Sequence, residues 1–347
     1  MSRTAFALTT LVAAMALPVP AATAQSAADV YKDRTVTILV GYGAGGTYGQ
    51  TALLLNAHIG KKIPGNPTVI VQHMPGAGGL KAANYAYNAM PKNGHYILMP
   101  PEMSVVSQLL RPDAVKYVTT GFTWLGTVFG ANQVMIVRRD TGIRSVDDLT
   151  KRELVVASTG AGSPTYLVPA MMNGILGTKF KIVTGYKGSA ETTLAVERGE
   201  SYGMTNSWVS WKKNRGEWFR GGNNSFAVML SQVGYTKEPD LQHLPLLTEL
   251  AKNDDDRAAA AMLSTQSVIG RGLAMPPGVP QNLIEPLRDA FWATVTDPVF
   301  KADADKRQLP VVPIKGAELQ KIIVEALQMS PQAVAKARRY IFPDKKK

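Results

Sequence analysis

The sequence predicts an α/β protein of two lobes, built on two mixed, mostly parallel sheets with a ligand cleft between the lobes. The chain has 347 residues, 45% hydrophobic and 18% charged, which is enough for two globular domains with cores of their own. A strand pattern followed by a glycine turn occurs three times, with turns at 41–46, 76–79 and 160–162. The first elements alternate strand and helix, which implies parallel strands with ligands beyond their carboxyl ends.

Residues 1–24 have the pattern of a secretory signal. Arg3 supplies the positive start, 5–17 is an apolar run too short to span a bilayer comfortably, and 22–24 fits a small-x-small cleavage site. We expect cleavage after Ala24 and an exported mature protein. The alternative is an uncleaved membrane anchor.

The formal net charge of +12 favours anionic partners, although no nucleic-acid motif is present. The chain has no cysteine, which excludes disulfides, thiolate metal sites and cysteine nucleophiles. Its four histidines are scattered and match no catalytic or metal-binding spacing. We therefore expect a binding protein and not an enzyme, with no catalytic residues, no metal, no cofactor and no nucleic-acid partner.

The first lobe begins with strand, glycine turn and helix. Thr47 opens the first helix and Gln50 follows three residues later, as in a capping box. The second helix begins at Leu80 and stops before Pro91, because a residue before proline disfavours helix. Strands are expected at 36–40, 69–71 and 96–99, and the first helix at 47–59.

The second lobe repeats this alternation. Ser163 with Pro164 begins one helix and Ser189 caps another. We expect Pro169 to kink or restart its helix, and 254–256 to lie in a solvated loop. Strands are expected at 134–137, 154–157, 182–183, 202–205 and 226–230.

The C-terminal part has no new glycine turn, so we expect it to pack back on the first lobe. Residues 25–130 and 266–347 then form the first lobe and 131–265 the second, joined by two crossing segments. The last part contains a strand at 267–275 and helices at 282–295, 298–307, 317–329 and 331–340.

The glycine turns predict an anion site. Glycine lets the backbone approach a ligand, and the unpaired amides at a helix start point at negative charge. Two such starts can flank one carboxylate, and hydroxyls of the second lobe can hold another polar end; these are Ser158, Thr159, Ser163 and Ser189. The alternative is that the glycines only make tight turns between strands and helices.

A dinucleotide site is a second alternative. Gly41, Gly43 and Gly46 match G-x-G-x-x-G directly after a strand. The second strand, however, ends near Gln72-His73, where the ribose would need an acidic residue, and an exported protein meets little NAD. An exported nucleotide- or cofactor-dependent enzyme therefore stays open as an alternative function.

Five blocks, in this order, resemble the solute-binding components of tripartite tricarboxylate transporters, the Bug-type proteins. They are Tyr42-x-Ala44-Gly45-Gly46, Pro75–Gly79, 157–163, Tyr186-Lys187-Gly188 and Met275–Pro280. The resemblance implies a type II periplasmic binding protein that captures a small organic carboxylate and delivers it to membrane permease subunits. We expect a monomer. A protein that presents its ligand to a sensor is a further alternative.

The resemblance also implies the ligand-binding positions. Two departures stand out: Gly49, after Tyr48, replaces a usual Asp, and Asn206 replaces an acidic residue. Losing both carboxylates argues against an amino-acid ligand, and Tyr48 is expected to line the pocket or simply to pack. The expected set is Tyr42, Ala44, Gly45, Gly46, Thr47, Tyr48, Gly76, Ala77, Gly78, Gly79, Ser158, Thr159, Gly160, Ser163, Tyr186, Lys187, Gly188 and Asn206.

Two further features carry expectations. The basic, aromatic segment 208–220 is interpreted as an amphipathic helix that buries Trp208, Trp211 and Trp218, with an edge of the cleft or a permease contact as the alternative. Glu102 would repel a dianion, so we expect it to turn away from the ligand or to bind a polar group on it.

Overall fold

The structure, a computed structural model, describes residues 26–343. The expected signal, with its cleavage after Ala24, lies outside the described residues. The strands are β1 (Thr35–Val40), β2 (Thr68–His73), β3 (Tyr96–Met99), β4 (Thr123–Thr127), β5 (Gln133–Arg138), β6 (Leu154–Ser158), β7 (Phe180–Thr184), β8 (Gly203–Ser207), β9 (Ala227–Val233), β10 (Gly272–Met275) and β11 (Ile314–Lys315). The helices are α1 (Ala27–Tyr31), α2 (Thr47–Ile59), α3 (Leu80–Asn88), α4 (Ser104–Leu110), α5 (Pro164–Leu176), α6 (Ser189–Glu197), α7 (Trp208–Arg215), α8 (Leu247–Leu250), α9 (Asp254–Ser264), α10 (Gln266–Ile269), α11 (Gln281–Thr296), α12 (Pro298–Lys306), α13 (Gly316–Ala326) and α14 (Pro331–Ile341).

Each lobe is built on one sheet. The first has the strand order β11-β4-β10-β3-β1-β2 and the second β7-β6-β8-β5-β9. Within the described residues, four strand pairings are parallel and five antiparallel, so the parallel share is smaller than the sequence predicts. The reason is that the strands next to the crossings, β4, β5 and β10, run back against the βαβ units.

The two crossing segments are hydrogen-bonded to each other. Val128 donates its N–H to the carbonyl of Arg271 at 3.0 Å, and Arg271 donates to Phe129 at 2.9 Å. These bonds lie between β4 and β5 on one segment and before β10 on the other, so the two segments that connect the lobes run side by side.

Both faces of each sheet are covered by apolar packing. In β1, Val36, Ile38 and Val40 enter one core and Leu39 enters another on the opposite face, as the alternation of a strand requires. Such a doubly covered strand reads as a continuous apolar run, which is why 36–40 was recognisable in the sequence.

Three local predictions differ from the structure. Pro169 does not restart its helix, because it lies inside α5, which runs on to Leu176. A kink at this proline stays a prediction. Residues 254–256 begin α9 and do not form a loop, since Asn253 accepts from the N–H of Asp256 at 2.9 Å and acidic side chains favour a helix start. The strand expected at 267–275 is shorter in the structure, where α10 covers Gln266–Ile269 and β10 covers Gly272–Met275.

Helix α14 departs from the expected assignment of 266–347 to the first lobe. It packs against α5 and α9, and Ala337 and Ile341 belong to a core of the second lobe. The remaining lobe boundaries stay a prediction. Within residues 26–343, no helix has the length and apolarity needed to cross a membrane.

The segment 208–220 forms α7 and a short 3₁₀ turn, and it packs as expected. Trp208, Trp211 and Trp218 are buried in one apolar cluster of the second lobe. The Trp211 indole N–H donates to the carbonyl of Val134 at 3.1 Å, which fixes the helix on the sheet.

Candidate ligand-binding site

A cavity lies between the lobes at the carboxyl ends of the parallel strands. The empty space between its walls, part of it open to solvent, is about 410 Å³. Its wall consists of Tyr42, Gly43, Gly46, Thr47, Tyr48, Glu102, Gln133, Thr159, Ser163, Pro164, Thr165, Ser189, Asn206 and Arg271.

Three helix N-termini meet at this cavity. Helix α2 begins after Gly46, α5 after Ser163 and α6 after Gly188, and in none of the three does a side chain cap the first amides. The first N–H groups of a helix have no intrahelical partner, and each helix end carries a partial positive charge. The wall is therefore suited to an anion, as the glycine turns indicated.

A buried ion pair forms part of the same wall. Arg271 is 2% exposed and Glu102 is 5% exposed, and the guanidinium Nη1 bonds to the Glu102 carboxylate. The guanidinium carbon also lies 4.3 Å from the centre of the Tyr48 ring. Burial raises the pKa of Glu102, and the charge of Arg271 opposes that rise. Burial lowers the pKa of Arg271, but the Glu102 carboxylate and the tyrosines beside it raise that pKa by more, so its net direction is upward.

A ring of four hydrogen bonds joins the lobes beside this pair. Arg271 Nη2 donates to Thr47 Oγ1 at 3.0 Å and to Ser207 Oγ at 3.1 Å. Ser210 Oγ shares a bond of 2.7 Å with Thr47 and one of 2.8 Å with Ser207. Since all four residues are buried, these polar atoms satisfy one another across the cleft without water.

The second glycine turn bridges the lobes and does not line the cavity. Gly78 donates its N–H to the carbonyl of Thr159 at 3.0 Å, and Gly162 donates to Ala77 at 3.2 Å. Gly78 has a φ of 70°, and a Cβ placed on it would lie 2.5 Å from the nitrogen of Ser163. Glycine is needed at this position because the backbones of the two lobes come close together. From the sequence we expect the backbone here to approach a ligand, whereas in the structure its neighbour is the other lobe.

The loop before α5 is ordered by its own hydroxyls. Thr165 Oγ1 accepts from the N–H of Thr159 at 2.9 Å and shares bonds with Ser163 Oγ at 2.6 Å and Ser158 Oγ at 3.0 Å. These contacts hold Thr159, Ser163 and Thr165 on the cavity wall, so the wall presents oriented neutral hydroxyls.

The structure brings seven of the expected residues to the wall: Tyr42, Gly46, Thr47, Tyr48, Thr159, Ser163 and Asn206. The others lie outside it: Ala44, Gly45, Gly76, Ala77, Gly78, Gly79, Ser158, Gly160, Tyr186, Lys187 and Gly188. Several of these carry interlobe bonds, such as that from the N–H of Gly43 to the carbonyl of Lys187 at 3.0 Å. Their role toward a ligand stays a prediction.

Sequence reasoning missed part of the wall. Ser189 was expected among the hydroxyls, Gly43 was named only for the dinucleotide alternative, and Pro164 was named only as a helix start. Gln133, Thr165 and Arg271 were not named. Arg271 is the largest omission, and the one available signal was its place in the crossing segment ahead of β10. Glu102 does not turn away, because it lies on the cavity wall, where its carboxylate bonds to Arg271. A contact between Glu102 and a polar group of the ligand stays a prediction.

The sequence model of the TctC family, described as the tripartite tricarboxylate transporter family receptor, matches residues 56–338 of this chain. The chain belongs to this family. A curated relative from Cupriavidus necator, described as a UPF0065 protein in the gbd 5′ region, is 25% identical over 309 residues, which are 85% of this TctC-family chain and 84% of the relative.

Solved structures show that the TctC-family chain has the two-lobed fold of periplasmic binding proteins. The periplasmic binding protein BugD matches with a TM-score of 0.70 and 19% identity, covering 89% of this chain and 98% of BugD. MatC from Rhodopseudomonas palustris, solved with malate, matches at 0.66 and 18%, covering 89% and 99%. An R. palustris protein solved with adipate matches at 0.65 and 19%, covering 88% and 97%.

Proposed function

We propose that this protein captures a small organic carboxylate in the cavity between its lobes and delivers it to a tripartite tricarboxylate-type membrane transporter. The observation that supports the proposal is the meeting of three helix N-termini, without side-chain caps, at one cavity. The first amides of α2 and α6 and the partial positive charges of all three helix starts stabilise a carboxylate without a dedicated basic side chain.

The site is split between the lobes, so binding and closure are coupled. Thr47 and Tyr48 come from the first lobe, whereas Thr159, Ser163 and Asn206 come from the second. A ligand that contacts both sets binds the closed form more tightly than the open form, and its differential affinity shifts the population toward closure. The closed form is then the species that a permease recognises.

The comparisons support the carboxylate class and the transport role. MatC was solved with malate and a second R. palustris protein with adipate. The description of the TctC family names its members as receptors of tripartite tricarboxylate transporters. We infer that this chain is exported to the periplasm with cleavage after Ala24, acts there as a monomer with permease subunits as partners, and catalyses no reaction of its own.

Thermal-shift and calorimetric titration of the purified protein with monocarboxylates, dicarboxylates and tricarboxylates test the binding proposal. We expect at least one carboxylate class to raise Tm and to bind with one-to-one stoichiometry. A shift with amines or sugars and none with any carboxylate would contradict the proposal. Deleting the cognate permease subunits tests delivery. Loss of carboxylate uptake would support delivery to a transporter, and unchanged uptake would favour a sensor role.

Helix α2 offers a matched pair of variants for this test. Thr47→Val removes a hydroxyl from the cavity wall. Thr51→Val removes a hydroxyl that is buried one turn further along and has no hydrogen-bond partner among residues 26–343. We expect weaker carboxylate binding from Thr47→Val and unchanged binding from Thr51→Val. Equal effects would indicate a general change in α2 and not a contact at the site.

A further inference from the structure

Glu102 places a carboxylate on the wall of an anion site. It follows β3 at the carboxyl end of the strand, and its N–H donates to Tyr48 Oη at 2.7 Å, which fixes the backbone against the cavity. Arg271 is the one side chain, among residues 26–343, that bonds to the Glu102 carboxylate. The acid therefore has a single partner and faces the space that a ligand fills.

The side chains of the wall have no net charge. Arg271 contributes one positive charge and Glu102 one negative charge, and the other wall residues are tyrosines, glycines, hydroxyl residues, amides and a proline. The wall's own attraction for anions comes from the starts of α2, α5 and α6, each equivalent to roughly half an elementary charge. That sum, roughly 1.5 elementary charges, compensates one carboxylate fully and a second only in part.

A second carboxylate finds only partial compensation. The guanidinium of Arg271 is held by Glu102 on Nη1 and by Thr47 and Ser207 on Nη2, and its Nε is buried without a hydrogen-bond partner in the described residues. A second ligand anion would have to reach that buried Nε, displace Glu102 from Arg271, or lie beside the Glu102 carboxylate, and like charges in a buried site repel strongly. Removing one member of a buried pair is costly because the other stays charged and alone.

We propose that the ligand of this site is a small monocarboxylate, and that Glu102 is the residue that excludes dicarboxylates and tricarboxylates. The inference rests on the proposed function and narrows its ligand class. The rest of the ligand is uncharged, since the remaining wall offers the Tyr42 and Tyr48 rings, 4.6 Å apart between centres, together with neutral hydroxyls and amides. A short apolar or hydroxylated chain matches those groups.

Calorimetric titration with acids of equal carbon number tests the proposal on the unchanged protein. The pairs are propionate with malonate and butyrate with succinate, with 3-hydroxybutyrate and citrate added. We expect the monocarboxylate of each pair to bind at least 10-fold more tightly than its dicarboxylate. A dicarboxylate or citrate that binds as tightly as the monocarboxylates, or more tightly, overturns this inference and leaves the proposed function standing. If no carboxylate binds, both fail.

The variant Glu102→Gln tests the role of the residue. Glutamine keeps an oxygen that can accept from Arg271, and the wall gains one positive charge. We expect the preference for butyrate over succinate to fall at least 10-fold. The control Glu318→Gln makes the same charge change on an exposed face of α13 and should leave the ratio as it is. An unchanged ratio in Glu102→Gln overturns the role of Glu102, and if that variant does not fold, the ratio in the unchanged protein decides the ligand class.

Discussion

Thr47 Oγ1 lies 2.7 Å from Ser210 Oγ, and this bond joins the first turn of α2 in one lobe to α7 in the other. Arg271 Nη2 and Ser207 Oγ complete the ring, so a cation in the crossing segment takes part in the contact between lobes. Each bond between two hydroxyls replaces bonds to water and contributes only about 0.5–1.5 kcal/mol net, whereas each bond from the Arg271 guanidinium contributes about 1.5–3 kcal/mol. The contact between the lobes therefore combines two weak bonds with two stronger ones.

Ser210→Ala should weaken closure without harming α7. Alanine is the best helix former, and the variant removes the bond to Thr47 while the side chain of Ser207 still caps the helix. The loss of one interlobe bond, about 0.5–1.5 kcal/mol, predicts ligand affinity about 2- to 10-fold weaker. Small-angle scattering with and without ligand measures closure and calorimetry measures affinity.

Ser201→Ala is the control for that variant. Ser201 is 1% exposed in the same lobe, and its hydroxyl has no hydrogen-bond partner in the described residues. We expect it to leave closure and affinity as they are. If Ser210→Ala behaves like Ser201→Ala, the ring does not contribute to closure.

Gly78→Ala should block closure. Its φ of 70° costs a non-glycine residue about 1–2 kcal/mol, and its Cβ would collide with the backbone of Ser163 in the other lobe. Binding should fall by more than 10-fold because the lobes can no longer meet at 76–79 and 160–163.

Gly177→Ala separates strain from collision in that experiment. Gly177 has nearly the same φ, 72°, but a Cβ there meets nothing within 4 Å. Both variants should lose comparable stability in urea unfolding, and only Gly78→Ala should lose binding. Normal affinity in Gly78→Ala would mean that ligand binding does not require this contact.

Much of the fold could be predicted because its signals are local. Helix α2 and strand β3 have the bounds expected from caps, turns and apolar runs. The three glycine turns could also be recognised in the sequence, because a positive φ or a close approach of two backbones favours glycine. Two of them open the helices α2 and α5 onto the cavity, while the turn at 76–79 serves the contact between lobes.

The rest of the site could not be predicted because its partners are far apart in the chain. Glu102 and Arg271 are separated by 169 positions, and neither stands in a motif. Their pairing depends on how β10 returns beside β3, a relationship that appears only once the sheet is assembled. The same holds for α14, whose apolar face does not specify which lobe it covers.

Arg271→Met should destabilise the fold strongly. It leaves Glu102 buried without its partner, and breaking a buried pair in this way costs about 3–5 kcal/mol. The double variant Arg271→Met with Glu102→Leu should recover most of that loss, because two apolar side chains of similar size need no compensation. Urea unfolding of the two single variants and the double variant measures the coupling. Additive losses would show that the pair does not act as a unit.

Asp303 should make stability depend on acid pH at the contact between α12 and α2. Hydrogen bonds from Arg307, and then from His58, lower its pKa from 3.8 to about 2 in the folded protein. A carboxyl whose folded pKa is lowered stabilises the fold above its unfolded pKa and loses that contribution as pH falls from near 4 through about 2.

Asp303→Asn should therefore lie below the unchanged protein in stability at neutral pH and converge with it near pH 2. The control Asp305→Asn, exposed on the same helix and without an ion pair in the described residues, should run parallel to the unchanged protein across that range. A constant difference between Asp303→Asn and the unchanged protein from pH 7 to pH 2 would contradict the assignment of this pH dependence to Asp303.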